Sequence, residues 1–182
     1  MTATTVNETG TVEPAGGPFA PGHRVRIAVA LGVALAALYG GSLPNDTRSE
    51  WFRNLVRPDV LPRSLERLIP VIWLGLFLLG GLGLAAIWSA DRSNRWKWVM
   101  CGLLVLQLGL NYAYSYTFTM ARDIPAAFGI AVALAVVTAT IIAVTAHNRV
   151  WRAAACFVPY LAWVAFATYV TFLLARLNPP AT

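Results

Sequence analysis

Charge is scarce in this sequence: Asp, Glu, Lys and Arg make up only 12% of its 182 residues, and there are just two histidines and two cysteines. That charged fraction is far below the mix of a soluble globular domain. Cys101 and Cys156 lie within or at the edge of apolar runs, with no CxxC spacing and no neighbouring histidine. They read as small packing residues, not as a disulfide or metal pair. His23 and His147 are far apart in the chain, so haem held by a strong axial ligand is not indicated. Acids are missing from the apolar runs, since Asp91 falls in a turn and Asp123 at a helix boundary; this weakens a proton-coupled transport mechanism. Walker, GxGxxG, HExxH and GxSxG motifs are absent as well. No catalytic residue, metal ligand or cofactor is therefore assigned.

What is abundant is apolar surface. Hydrophobic residues are 58% of the chain and the mean hydropathy is +0.61, with seven tryptophans and six tyrosines. This is the composition of a multi-pass integral membrane protein. The net charge of +6 and pI of about 9.9 come from basic residues in short connections between apolar runs. They mark topology and lipid headgroup contact, not a nucleic-acid surface.

The pattern predicts an all-α fold, a five-helix transmembrane bundle. Residues 1–22, rich in Thr, Gly, Pro, Ala and Glu, cannot bury enough to order themselves and are expected to be a disordered tail. The five-helix domain covers 23–178, with spans at about 27–43, 68–90, 98–120, 124–146 and 153–174, and 179–182 form a short C-terminal tail. The first span follows the basic cluster His23, Arg24 and Arg26, an outline shared with signal sequences, and is expected to be retained as a helix. Its Gly32, Ala36 and Gly40 recur every four residues, as in close helix contacts. The connection Pro44–Arg67, with five arginines, four acids and three prolines, is the longest loop, and loops of that length are often functional. Lysines and arginines number seven on each side of the predicted bundle, so the positive-inside rule does not choose an orientation.

Leu106–Arg122 is the informative stretch. Two amides and three tyrosines interrupt an otherwise spanning run, and amides left in hydrocarbon would lose their hydrogen bonds. Gln107, Asn111, Tyr114 and Phe118, at steps of four, three and four, share one helical face. Tyr160, Trp163 and Ala167 are their counterparts in the fifth span. Two readings stand: a cavity wall for a flat hydrophobic ligand, or amides that simply bond neighbouring helices.

Several blocks carry a resemblance. Trp51, Arg57, Pro58 and Pro62 in the long loop, PVIW at Pro70–Trp73, QLGLN at Gln107–Asn111 with Ser115 and Phe118, and PYLAW at Pro159–Trp163 followed by FAT at Phe166–Thr168 resemble the translocator protein / tryptophan-rich sensory protein family over roughly residues 27–178. The resemblance implies a five-helix protein, commonly dimeric, that binds porphyrins, haem or sterol-like ligands in a cavity closed by the first loop. It implies that Trp73, Asn111, Tyr114, Trp163 and Ala167 line that cavity and that the loop around Trp51–Pro62 is its lid. The chain departs from the pattern in places. Two tryptophans and one proline of the loop motif are missing after Arg57 and Pro58, and a tryptophan of the third helix is Tyr114. A phenylalanine there is Thr119, and the asparagine after FAT is Thr171. A cholesterol-recognition pattern around Val170, Phe172 and Arg176 is incomplete, and such patterns are weak even when whole.

The expected function is binding of a flat hydrophobic metabolite, a tetrapyrrole such as porphyrin or haem, for sensing, sequestration or transport. Candidate ligand contacts are Trp73, Gln107, Asn111, Tyr114, Phe118, Tyr160, Trp163 and Ala167, under a lid of Trp51, Arg57, Pro58 and Pro62. The alternatives are a small membrane enzyme acting on a porphyrin or other polycyclic or isoprenoid substrate, and a structural partner docking through Gly32/Ala36/Gly40 and Gly81/Ala85. Expected partners are the hydrophobic ligand, the bilayer and a second copy in a homodimer, with no nucleic acid.

Overall fold

The computed structural model describes residues 49–60 and 62–179, together with positions 5, 6, 12, 13, 28, 32, 35 and 36. Most of the predicted tail 1–22, most of the span 27–43 and residues 180–182 lie outside the described residues. Positions 28, 32, 35 and 36 are helical. Gly40 is not among the described residues, and a Cβ built at Gly32 would meet nothing within 4 Å. Thr5–Val6 (β1) and Val12–Glu13 (β2) pair antiparallel over two residues each.

The fold is otherwise all-α. Helix α1 spans Glu50–Asn54, α2 Arg63–Ser89, α3 Asn94–Thr119, α4 Ile124–His147 and α5 Trp151–Leu177. Local chemistry sets these limits. Ser49 Oγ accepts from Phe52 N to cap α1, Ser93 Oγ accepts from Trp96 N to cap α3, and Asp123 Oδ1 accepts from Ala126 N to cap α4. Each satisfies one of the backbone donors left free at a helix start. Pro125 stands in the first turn of α4, where its missing N–H costs nothing. The long helices overrun most of the predicted spans: α2 begins at 63, α3 at 94, and α5 extends from 151 to 177. Hydropathy marks the stretch that crosses hydrocarbon, whereas caps and hydrogen bonds decide where a helix ends.

Helices of 24 to 27 residues exceed the roughly 20 residues needed to span a bilayer. Arg67–Ser89, Ile124–His147 and Trp151–Leu177 are also apolar enough to do so. The chain is thus a multi-pass integral membrane protein. Helix α3 is long enough but more polar, because it carries Arg95, Lys97 and the amides and hydroxyls of its inner face.

Helix α5 is the hub. It packs along α4 and α2, α4 packs on α3, and the sequence neighbours α2 and α3 barely touch. Three buried layers follow the bundle axis. Ile87, Met100, Ile141, Ala153 and Phe157 fill the end near the α2–α3 and α4–α5 turns. Leu76, Leu134, Tyr160 and Val164 fill the middle. Phe118, Ile124, Ala127, Val170 and Leu174 fill the other end, with Trp51, Phe52 and Leu55 packed onto them. Gly83 marks a tight contact of α2 with α5: a Cβ there would stand 2.7 Å from the ring of Phe157, which is itself 1% exposed. Gly81 and Ala85, offered above as a docking face, are buried.

Candidate ligand cavity

The inner face of α3 is a ladder of polar groups, one rung per helical turn. Gln107 Nε2 donates to Thr138 Oγ1 of α4 at 2.9 Å, and that hydroxyl donates in turn to Leu134 O. Asn111 Nδ2 donates to the Tyr160 hydroxyl of α5 at 3.0 Å. The Tyr114 and Thr171 hydroxyls meet at 2.8 Å. Thr171 spends its only proton on Ala167 O at 2.7 Å, so Tyr114 is the donor. Gln107 and Asn111 are both buried, and every rung pairs a polar group that lipid would leave unsatisfied.

At the Tyr114 end of this ladder lies a cavity of about 180 Å³. Ile69 and Trp73 of α2, Tyr114, Ser115, Phe118 and Thr119 of α3, and Trp163, Phe166, Ala167, Val170 and Leu174 of α5 form its walls, and Phe52, Leu55 and Arg57 close it. The rings are ordered against one another. Tyr114 stacks on Phe118 with centroids 5.8 Å apart and planes 11° from parallel, and Trp163 tilts on Phe166 at 5.6 Å. Trp73 meets Tyr160 edge-on at 5.9 Å, so Tyr160 supports the floor from below. Such rings present flat apolar faces with few polar handles. The handles here are the hydroxyls of Tyr114, Ser115 and Thr119 and the guanidinium of Arg57; among the described residues, the lining contains no carboxylate or imidazole. Among the described residues, no group of three or more His, Cys, Asp or Glu could hold a metal ion.

Residues 49–58, which overlap the expected lid loop, lie against this cavity through Phe52, Leu55 and Arg57. Phe52 and Trp51 both set ring edges against Phe118, with centroids at 6.3 and 6.0 Å. Arg57 lies over the Phe52 ring at 5.3 Å and donates to Phe52 O at 3.4 Å. At the far end of the chain, Asn178 grips the lid backbone: Val56 N donates to its Oδ1 and its Nδ2 donates to Val56 O, both at 2.9 Å. The same Nδ2 reaches Leu174 O at 3.0 Å. One amide side chain therefore ties the lid to the end of α5.

Of the sequence-predicted contacts, Trp73, Tyr114, Phe118, Trp163, Ala167 and the lid residue Arg57 meet at this cavity. Gln107, Asn111 and Tyr160 are not on its walls, because their polar groups are used between helices. Trp51 instead lines a neighbouring recess with Arg122, Asp123 and Asn178. Pro58 is buried and Pro62 exposed, and neither lines the cavity. Sequence reasoning missed Phe52, Leu55, Ile69, Ser115, Thr119, Phe166, Val170 and Leu174. Helical spacing could have found several of them: Phe166, Val170 and Leu174 follow Trp163 at steps of three, four and four, and Ile69 precedes Trp73 by four.

These features define a class, a helical integral membrane protein with an aromatic cavity between its helices and a loop segment tied beside it. Residues 28–176 match the TspO/MBR family. The chain belongs to that family. It is 31% identical over 159 residues to the tryptophan-rich protein TspO of Chlorobaculum tepidum, covering 84% of this chain and 96% of that one. It is also 30% identical over 145 residues to the uncharacterized membrane protein YtaB of Bacillus subtilis, covering 80% and 90% respectively.

Proposed function

We propose that this protein binds a flat hydrophobic metabolite of the tetrapyrrole class in the lidded cavity, for sensing, sequestration or transport. The observation that supports it most is the lining itself: Trp73, Tyr114, Phe118, Trp163 and Phe166 surround one space, with Arg57 at its closed end. Trp163 and Trp73 supply faces for stacking. Tyr114, Ser115 and Thr119 supply orienting hydroxyls, and Arg57 suits a ligand carboxylate through charge-assisted hydrogen bonds.

Size decides how such a ligand enters. A cavity of about 180 Å³ is close to the ~150 Å³ that holds benzene and below the ~300 Å³ at which ligand pockets usually begin. A tetrapyrrole therefore binds with the lid displaced, its ring between the walls and its acidic edge toward Arg57. The same volume favours a second reading, a one- or two-ring apolar guest under a closed lid.

Titration of purified protein with protoporphyrin and with indole, followed by tryptophan fluorescence, separates the two. The tetrapyrrole reading expects saturable quenching by protoporphyrin and about tenfold weaker binding by Trp163→Ala, the scale of one aromatic contact and its buried area. Saturable binding of indole alone favours the small guest. Linear, non-saturating quenching that is identical in both proteins rejects the cavity as a site.

A further inference from the structure

The opposite end of the bundle carries a second built feature. Between the α2–α3 turn and the α4–α5 turn lies a groove of about 720 Å³. Its outer end is lined by Arg92, Arg149 and Arg152 with Ser89 and Asn148, and among the described residues Asp91 is the one acid. Its inner end is apolar, running down Leu82, Ala85 and Ala86 of α2 and Cys156 of α5. Three cations at the mouth and a hydrocarbon floor form an amphipathic site.

Each arginine is placed in a way that leaves its positive charge unpaired among the described residues. Arg92 donates to the Asn148 carbonyl and so ties the two turns together. The side chains of Arg149 and Arg152 make no hydrogen bond or ion pair with any described residue. Both stand at the start of α5, where Val150 provides no side-chain cap and the helix dipole already favours negative charge. Arg149 also closes α4 at φ 59°, with its N–H on Ala146 O and the Val150 N–H on Thr145 O. This double-bonded helix end is normally made by glycine. Arginine occupies it at a conformational cost that glycine avoids, so the backbone does not account for the side chain.

The location is interfacial. Trp88 and Trp98 meet edge-on at 5.7 Å beside the α2–α3 turn, and Trp151 begins α5; all three are exposed. Tryptophans of this kind sit at headgroup level.

We propose that this groove is a binding site for an anionic phospholipid. The phosphate of its headgroup lies among Arg92, Arg149, Arg152 and the first N–H groups of α5, and one acyl chain lies along Leu82, Ala85 and Cys156. Basic pockets between transmembrane helices take lipid phosphates by this chemistry. The site is separate from the lidded cavity and does not depend on what that cavity binds.

The test is a titration of detergent-purified protein with short-chain phosphatidylglycerol, with matching phosphatidylcholine and with inorganic phosphate, read by native mass spectrometry. Phosphatidylglycerol is expected to bind one per chain, and inorganic phosphate in large excess is expected not to displace it. Arg149→Gly and Arg152→Gln should each weaken it about tenfold, the scale of a charge-assisted hydrogen bond. Arg149→Gly suits the left-handed backbone, so its thermal midpoint should not fall and lost binding is not misfolding. The double variant Arg95→Gln/Lys97→Gln, outside the groove, should stay within about twofold of wild type. Equal binding of phosphatidylcholine, an equal loss in the Arg95/Lys97 variant, or retained affinity in both arginine variants overturns the site. Displacement by inorganic phosphate overturns the lipid assignment in favour of a soluble anion.

Discussion

Asn178 is the most economical place to perturb the lid. It makes two hydrogen bonds to Val56, both at 2.9 Å and both in an exposed setting. Such bonds contribute about 0.5–1.5 kcal/mol each, and their exposure puts them at the lower end. Asn178→Ala therefore shifts lid opening by about 1–2 kcal/mol, or roughly five- to thirty-fold. The core stays untouched, since the clusters under the lid are held by Phe118, Val170 and Leu174. Amide hydrogen exchange of the peptide covering residues 50–58 reads this opening directly. The variant should exchange roughly five- to thirty-fold faster at Val56, while the middles of α4 and α5 keep their protection. Asn178→Asp keeps the acceptor for Val56 N–H and loses the donor to Val56 O, so it should fall between wild type and Asn178→Ala. Unchanged exchange at Val56 in Asn178→Ala would show that the amide does not hold the lid, and a uniform rise across the bundle would show that it serves global stability.

Further predictions follow from packing and polarity. Gly83→Ala places a methyl against the buried Phe157 ring and should destabilise by about 1–3 kcal/mol, measured as a lower thermal midpoint in detergent; a midpoint at or above wild type contradicts the close contact. Gln107→Leu removes the donor to Thr138 yet leaves that hydroxyl bonded to Leu134 O. The loss should be small, about 0.6 kcal/mol, and a collapse of the fold would show a larger structural role. Tyr114→Phe likewise leaves Thr171 bonded to Ala167 O. It should preserve stability within about 1 kcal/mol while altering affinity for ligands that donate a hydrogen bond to the Tyr114 oxygen; a large stability loss contradicts that independence.

The α3 face was legible because two amides in an apolar run have so few acceptable environments. Gln107, Asn111, Tyr114 and Phe118 do share the inward side. Their partners were not legible. Thr138 sits in α4 among Ala, Val and Ile with nothing local to distinguish it, and only the packing of α4 on α3 puts it opposite Gln107. The Asn178–Val56 clamp joins residues 122 apart in sequence, beyond the reach of any spacing rule. The division of α3 into a structural half, Gln107 and Asn111, and a cavity half, Tyr114 to Thr119, follows from what each meets: Thr138 and Tyr160 for the first, the cavity walls for the second. Two departures from the family resemblance, Tyr114 and Thr171, prove to be partners at 2.8 Å. That coupling was invisible while the two positions were considered one at a time.

The most direct test of the cavity as the ligand site fills it without removing any contact. Ala167 lies on the α5 wall, and Ala167→Phe adds a ring to a space of about 180 Å³ that can accept one. Titration of this variant with protoporphyrin, beside the wild type and with helix content checked by circular dichroism, should show saturable binding for the wild type alone. Wild-type affinity in a folded Ala167→Phe protein would place the ligand elsewhere and contradict the account.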